Sequence, residues 1–305
     1  LRTEREDRER TTVLWRLNDR KALALYSAPA LAFYTVFMIF PIAFSIYISL
    51  QSWTGGGEME FVGLANYLDV LKDGDFWITF KNTIVLLVLS VLIQVPIAFL
   101  LAYLLFRSQR VMGVFRAIYF MPAAISSTVI GVLFCLLLNS DLGPLNFILK
   151  KANLSFLALN WLSNKDTVLY TTCAVMIWQF IGYHMVIILA GMQSIPVELL
   201  EAAAIDGASS GRILRSVVLP LCKDMIEICM LLAVVGSFKS FDVPYVMTWG
   251  GPGVSSSFLA IYMFKAAFLK SEIGLGTTIG IIILLLALIG TRVINRVFES
   301  GDEQA

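Results

Sequence analysis

Apolar positions in this chain gather into long runs instead of alternating with polar ones. Crossing a bilayer takes about 20 consecutive, mostly apolar residues in a helix. Six runs meet that length, near residues 23–50, 79–106, 115–138, 167–192, 221–247 and 273–297. Backbone polar groups in lipid must pair within their own segment, so each run predicts a spanning helix. The segments between them alternate in character. Residues 1–21, 107–116, 193–220 and 298–305 should share one side, and residues 51–78, 139–166 and 248–272 the other.

One connecting segment has the pattern of soluble structure. It reads Ser-Ile-Pro-Val-Glu-Leu-Leu-Glu-Ala-Ala-Ala-Ile-Asp-Gly-Ala-Ser-Ser-Gly-Arg-Ile-Leu-Arg-Ser-Val-Val-Leu-Pro, from Ser194 to Pro220. Ser194 is the expected N-cap, with Pro196 in the first helical turn. Asp206-Gly207 is a turn signal, with Gly207 closing the helix in a left-handed conformation. Ser209 or Ser210 should cap a second short helix that Pro220 ends. Two short helices lying on the membrane follow from this pattern. On the opposite side, Leu64, Leu68 and Leu71 are spaced for a short interfacial helix, with Phe76 and Trp77 as aromatic anchors. Thr248-Trp-Gly-Gly-Pro-Gly253 should form a tight turn.

Composition agrees with the spans. The chain has 305 residues, 58% hydrophobic, and a mean hydropathy of +0.80. That leaves too few polar residues to cover a soluble surface. The net charge of +1 gives no reason to expect nucleic acid. Its distribution orients the chain. Every arginine lies on the first side or at helix ends facing it, including Arg107, Arg116, Arg212, Arg215, Arg292 and Arg296. The other side has only lysines, such as Lys72, Lys150, Lys151, Lys165 and Lys270. By the positive-inside rule, both termini and the Ser194–Pro220 segment are expected in the cytoplasm. Residues 1–21 are highly charged and do not read as a cleavable signal. The expected division is a cytoplasmic segment 1–21, a membrane domain 22–298 containing the loop 193–220, and a tail 299–305.

Candidate chemistry is sparse. No phosphate-binding loop occurs, and one histidine cannot build a usual zinc site. Cys135, Cys173, Cys222 and Cys229 read as small buried apolar residues. No catalytic residue, metal or cofactor is expected. Polar residues within spans are Gln94, Gln179, His184, Lys239 and Asp242. Lys239 and Asp242, three apart, are expected to pair on one helix face. Gln94, Gln179 and His184 read as helix-to-helix hydrogen-bonding groups.

The polar segment resembles the Glu-Ala-Ala loop by which permeases of binding-protein-dependent ABC importers dock into their ATPase. The matching residues are Glu201, Ala202, Ala203, Asp206, Gly207, Ala208, Leu219 and Pro220; Leu214 stands where the family usually has Phe. Further likeness lies in Gly63-Leu-Ala-Asn-Tyr67, Asn82-Thr83, Trp161-Leu162, Trp178, Gly182, Leu189–Pro196, Phe241-Asp242 and Thr248–Gly253. Taken in order, these make the chain similar to carbohydrate-uptake, maltose-type permeases of the first-permease branch.

The resemblance implies an all-α polytopic membrane protein with six spans in the type I ABC importer permease fold. It implies a bacterial cytoplasmic membrane location, a second permease subunit, two ATP-binding subunits and an extracytoplasmic solute-binding protein. ATP would be hydrolysed by the partners. Docking would use Glu198, Glu201, Ala202, Ala203, Asp206, Gly207, Ala208, Arg212, Arg215 and Pro220. The small residues permit close approach, and the charges offer charge-assisted contacts. Sugars present apolar ring faces and a polar rim. Trp178, Gln179, Tyr183, Phe238, Phe241 and Asp242 are therefore the expected substrate path. The substrate reads as a sugar, with oligosaccharides first and glycerol phosphates or acidic sugars second. Two readings from other classes are an ion-coupled carrier or channel using Lys239 and Asp242, and an intramembrane enzyme.

Overall fold

Prolines shape the long helices. A proline inside a helix lacks an N–H, and its ring strikes the carbonyl four residues back. Three of them follow a wider, π-helical turn that removes the clash. In the computed structural model, which describes residues 20–108 and 112–302, the first rod is α1 (Arg20–Tyr34), a π turn at Thr35–Ile39, and α2 (Phe40–Ser49) containing Pro41. The residue before each such proline reaches five back. Phe40 N–H bonds Thr35, Val95 N–H bonds Ser90, and Leu219 N–H bonds Leu214.

A two-stranded hairpin follows α2: β1 (Gln51–Ser52) pairs antiparallel with β2 (Glu60–Phe61), Gln51 opposite Phe61. Next come α3 (Ala65–Lys72), α4 (Gly74–Leu89), a π turn at Ser90–Gln94 and α5 (Val95–Arg107). Together α4 to α5 make one span, Gly74–Arg107, of 34 residues. At 1.5 Å per residue that is about 50 Å, longer than a bilayer core of about 30 Å, so its ends must leave the apolar zone.

The expected third span is not one helix. It divides into α6 (Met112–Ala124) and α7 (Ser127–Leu137), bent by 92°. Pro122 sits inside α6, and Ile125–Ser126 form the corner. The corner is held from outside, because Gln179 donates its amide to the Ile125 carbonyl at 3.4 Å and to Ser127 Oγ at 3.2 Å.

After α8 (Pro144–Lys151) comes α9 (Val168–Gln193), the central helix. More than half of its most apolar window is buried, 56%, against 6% for the first span. The first span therefore presents its apolar surface outward, and α9 is the axis around which α5 and α6 pack. Gly182 makes that packing possible: a Cβ there would lie 1.8 Å from the Tyr119 carbonyl oxygen of α6.

The polar segment forms α10 (Val197–Ile205), α11 (Ser210–Ile213), a π turn at Leu214–Val218 and α12 (Leu219–Leu221). Two capping expectations are corrected. Ser194 closes α9, its hydroxyl donating to the Gly191 carbonyl at 2.7 Å, and Pro196 occupies the N-cap of α10. Pro220 does not end the second helix. The π turn absorbs it, and the chain turns at Cys222 instead.

The expected fifth span is also interrupted. It forms α13 (Lys223–Phe238), then Lys239–Phe241, then α14 (Asp242–Thr248). Pro244 explains the break, since in a continuous helix its ring would strike the Ser240 carbonyl, whereas a first helical turn accepts it. The short α15 (Leu259–Phe264) and the long α16 (Ile273–Asp302) complete the chain. Among the described residues, four helices are long and apolar enough to cross a membrane, and five if the bent pair counts as one. The charged segment 1–21 and Arg110 fall almost wholly outside the described residues.

Several residues noted for their resemblance prove to be loop fasteners. Asn66 donates to the carbonyls of Ser49 and Gln51, and Tyr67 bonds Ser49 Oγ at 2.8 Å. Asn82 donates to the carbonyls of Val254, Ser255 and Ser257 at 2.9–3.3 Å. Trp161 donates to Asn146 Oδ1 at 2.8 Å. On α3, Leu64, Leu68 and Leu71 are exposed as expected. Phe76 is not a surface anchor: it is buried, with its ring 6.4 Å from that of Tyr262, while Trp77 remains half-exposed. The turn after α14 is as tight as expected, with Trp249 and Gly250 both at positive φ.

Candidate functional site

The first candidate site is the helix–turn–helix of α10 and α11. Its inner side packs Leu200, Ile213 and Leu214 against a core that includes Leu105, Met192, Ile195 and Val218. Tyr103 of α5 fixes the second helix, donating to the Ser210 carbonyl at 3.1 Å. The outer side is open. No residue of α10 is buried, and Ile205 is 85% exposed. Glu198, Glu201, Ala202, Asp206, Gly207, Arg212, Arg215 and Pro220 are exposed, with Ala203 and Ala208 half-buried.

Gly207 closes α10 at φ +74°. Its N–H bonds the Ala204 carbonyl at 3.1 Å, and the Ala208 N–H bonds the Ala203 carbonyl at 3.0 Å. This is the two-bond Schellman closure, which needs a left-handed residue. Among the described residues a Cβ on Gly207 would meet nothing within 4 Å, so the requirement there is conformational and not steric.

The second site is an open cavity of about 240 Å³ lined by α4 and the π turn after it, α7, α9, α13, the Lys239–Phe241 break and the start of α14. Its polar wall is Ser90, Gln94, Ser127, Tyr183, His184, Ser237, Lys239, Ser240 and Asp242. Ser90 and Gln94 come from the π turn that Pro96 imposes, near the middle of the second span. Gln94 Nε2 lies 2.9 Å from His184 Nδ1, joining α9 to the second span as a helix-to-helix link. Met176, Phe180, Tyr183 and His184 reach the cavity because they share one face of α9.

The expected path residues divide. Tyr183, Phe241 and Asp242 line the cavity. Trp178, Gln179 and Phe238 do not. Trp178 is half-exposed with Phe134 edge-on at 5.2 Å, Gln179 is buried at the α6–α7 corner, and Phe238 packs toward α16. The expected Lys239–Asp242 pair does not form among the described residues. The helix break separates them, and both side chains are exposed at the cavity. The sequence reading gave Ser90, Ser240 and His184 no place at the cavity. All four cysteines are free, and among the described residues no cluster suited to a metal occurs.

Residues 94–301 match the family described as binding-protein-dependent transport system inner membrane component. The chain belongs to that family. It is 37% identical over 272 residues to a probable ABC transporter permease protein of Pyrococcus horikoshii, covering 89% of this chain and 93% of that one. It is 32% identical to the trehalose/maltose transport system permease protein MalF of Thermococcus litoralis, covering 88% and 90%. In fold it is similar to a chain of a bacterial ABC transporter involved in import of the acidic polysaccharide alginate. That likeness has a TM-score of 0.79 at 20% identity and covers 94% of this chain and 98% of that chain. The chain is thus a membrane-embedded permease with the type I importer fold. Family membership sets aside the ion-coupled carrier and the intramembrane enzyme.

Proposed function

We propose that this permease is one half of the translocation pathway of an ATP-driven, binding-protein-dependent importer of sugars, oligosaccharides in the first place. The observation that carries the reading is the α10–α11 loop, anchored on its inner side and bare on its outer side. A short capped helix with exposed Glu198, Glu201, Arg212 and Arg215 suits a cleft in a partner subunit. Two ATP-binding subunits would offer two such clefts, so a second permease with its own loop completes the assembly, and an extracytoplasmic binding protein delivers the sugar. ATP is hydrolysed by the partners. The α6–α7 pair and the interrupted α13–α14 segment serve as the third and fifth of six crossings. Both termini, and the loop, lie on the cytoplasmic side of a bacterial inner membrane.

The cavity supports a sugar as cargo. Tyr183 and Phe241 offer aromatic faces, and serine, glutamine and acidic groups offer hydrogen bonds. We keep the substrate path for Tyr183, Phe241 and Asp242, and give Gln179 the role of bracing the corner. An acidic sugar is the second reading, favoured by Lys239, whose ammonium is exposed at the cavity without an ion pair among the described residues.

Co-purification with the products of neighbouring genes should return one copy of this chain, one second permease and two ATPases. The reconstituted complex should hydrolyse ATP faster with sugar-loaded binding protein. A homodimer of this chain that imports sugar unaided would overturn the assembly. Failure of every sugar tested to stimulate turnover would overturn the substrate class.

A further inference from the structure

The fifth span carries a column of aromatic rings that reaches the cavity at one end only. Phe241, Tyr245 and Trp249 follow each other at intervals of four, so they stand on one side of α14. The rings of Phe241 and Tyr245 stack with centroids 4.7 Å apart, and that of Trp249 follows 4.4 Å beyond Tyr245. Phe264 braces the middle, 5.1 Å from Phe241 and 5.3 Å from Tyr245. Phe241 lines the cavity. Trp249 ends the column at the turn after α14 and is 52% exposed.

The last ring is held in place against its backbone preference. Trp249 sits at φ +55°, a left-handed conformation that strains a bulky residue. Hydrogen bonds pin the turn around it. Trp249 N–H bonds the Tyr245 carbonyl at 2.9 Å, Gly250 N–H bonds Thr248 Oγ1 at 3.2 Å, and Thr248 Oγ1 meets Ser256 Oγ at 2.7 Å. Strained conformations cluster where a molecule binds or moves something. Tyr245 covers one side of the indole, and half of the residue's surface stays open. Lipid does not suit that open side. Asp242 is exposed and lies seven residues before Trp249, two helical turns, so carboxylate and indole share a side of α14. A carboxylate facing lipid is costly, so this side looks onto the aqueous path.

We infer that Trp249 is a sugar-stacking platform at the outer mouth of the import path, a second subsite beyond the cavity. Tyr245 is a positioning residue that fixes the angle of the indole. The ligand class is a pyranose ring, whose C–H face suits an exposed indole. An oligosaccharide with one ring in the cavity, against Tyr183 and Phe241, sets a later ring on Trp249. The platform therefore favours longer chains. This rests on the proposed reading of the cavity as a sugar path and adds chain length to what that path selects.

The test places the complete importer in lipid nanodiscs with one fluorinated tryptophan at position 249, introduced by stop-codon suppression. Maltose, maltotriose and maltotetraose, and alginate oligomers of two to four rings, are the probes. Each is first scored, with the system's binding protein, for stimulation of ATP turnover. A stimulating tetramer should shift the fluorine resonance, and its dimer should shift it less. Trp249→Asn accepts the left-handed conformation and removes the ring, whereas Trp249→Phe keeps a ring under the same strain. The asparagine variant should lower tetramer uptake about fivefold relative to dimer uptake, and phenylalanine should restore most of that ratio. A merely structural role would lower both lengths alike, and that result overturns the inference. Should the asparagine variant fail to assemble, the fluorine spectrum alone decides. If a stimulating tetramer leaves the signal unmoved, the inference is wrong and the sugar reading stands; an indole covered by the second permease, or lying in lipid, gives this result. Stimulation by dimers alone has the same consequence. If no probe stimulates turnover, the sugar reading fails and takes the inference with it.

Discussion

Replacing Gly207 by asparagine, alanine and valine separates backbone conformation from docking contact. Gly207 sits at φ +74°, and a Cβ there would meet nothing within 4 Å among the described residues. The cost in the free permease is therefore conformational. A left-handed residue with a Cβ costs about 1–2 kcal/mol, which lowers the ratio of formed to unformed loop by a factor of about 5–30. Asparagine tolerates this region best, and a β-branched residue worst. The closing bonds from Gly207 and Ala208 to Ala204 and Ala203 depend on that conformation. The expected order of sugar-stimulated ATP turnover is glycine, then asparagine close behind, then alanine, with valine near the unstimulated level. Membrane insertion, measured by yield of the assembled complex, should not change. Should asparagine prove as damaging as valine in a fully assembled complex, backbone strain is not the cause. The bare surface at Gly207 would then be needed by the partner.

Other substitutions follow from the packing. Gly182→Ala drives a Cβ to 1.8 Å from the Tyr119 carbonyl oxygen, so the α6–α9 crossing must open. We expect a loss of about 1–3 kcal/mol, read as a lower Tm of the purified complex; an unchanged Tm would show that α6 yields freely. Asn82→Ala removes the donor to three loop carbonyls at Val254, Ser255 and Ser257, and limited proteolysis should cut that loop faster; equal rates would mean other contacts hold it. Tyr183→Ala, at the cavity, should lower uptake several-fold at unchanged binding-protein affinity, whereas Trp178→Ala, off the cavity, should leave uptake near wild type. Equal losses at both positions would contradict the path drawn through the cavity.

Helical arithmetic held part of the site in plain view. At about 100° per residue, Trp178 lies about 140° around α9 from Tyr183, so the two cannot share a wall. Tyr183 and His184 fall with Phe180 and Met176 on one face, and that face lines the cavity. His184 was legible as a polar group in an apolar run, but its partner was not. Pairing depends on what lies opposite, and Gln94 is ninety residues away.

The sequence alone determined the membrane class, four of the crossing helices and the two-helix loop with its glycine closure. Those features are local. Hydrophobic length, a turn dipeptide and a capping preference act within a few residues, so the chain states them directly. Tertiary structure decided the bend of the third span, the break in the fifth and the membership of the cavity. The bend and the cavity depend on contacts between distant segments, Gln179 against Ile125 and Ser127 and Gly182 against Tyr119, while the break in the fifth follows Pro244. A proline signals only that the helix cannot continue unchanged. At Pro96 and Pro220 the π turn pairs the backbone within the same helix, whereas at the corner near Pro122 the Ile125 carbonyl is received by Gln179 of the neighbouring α9.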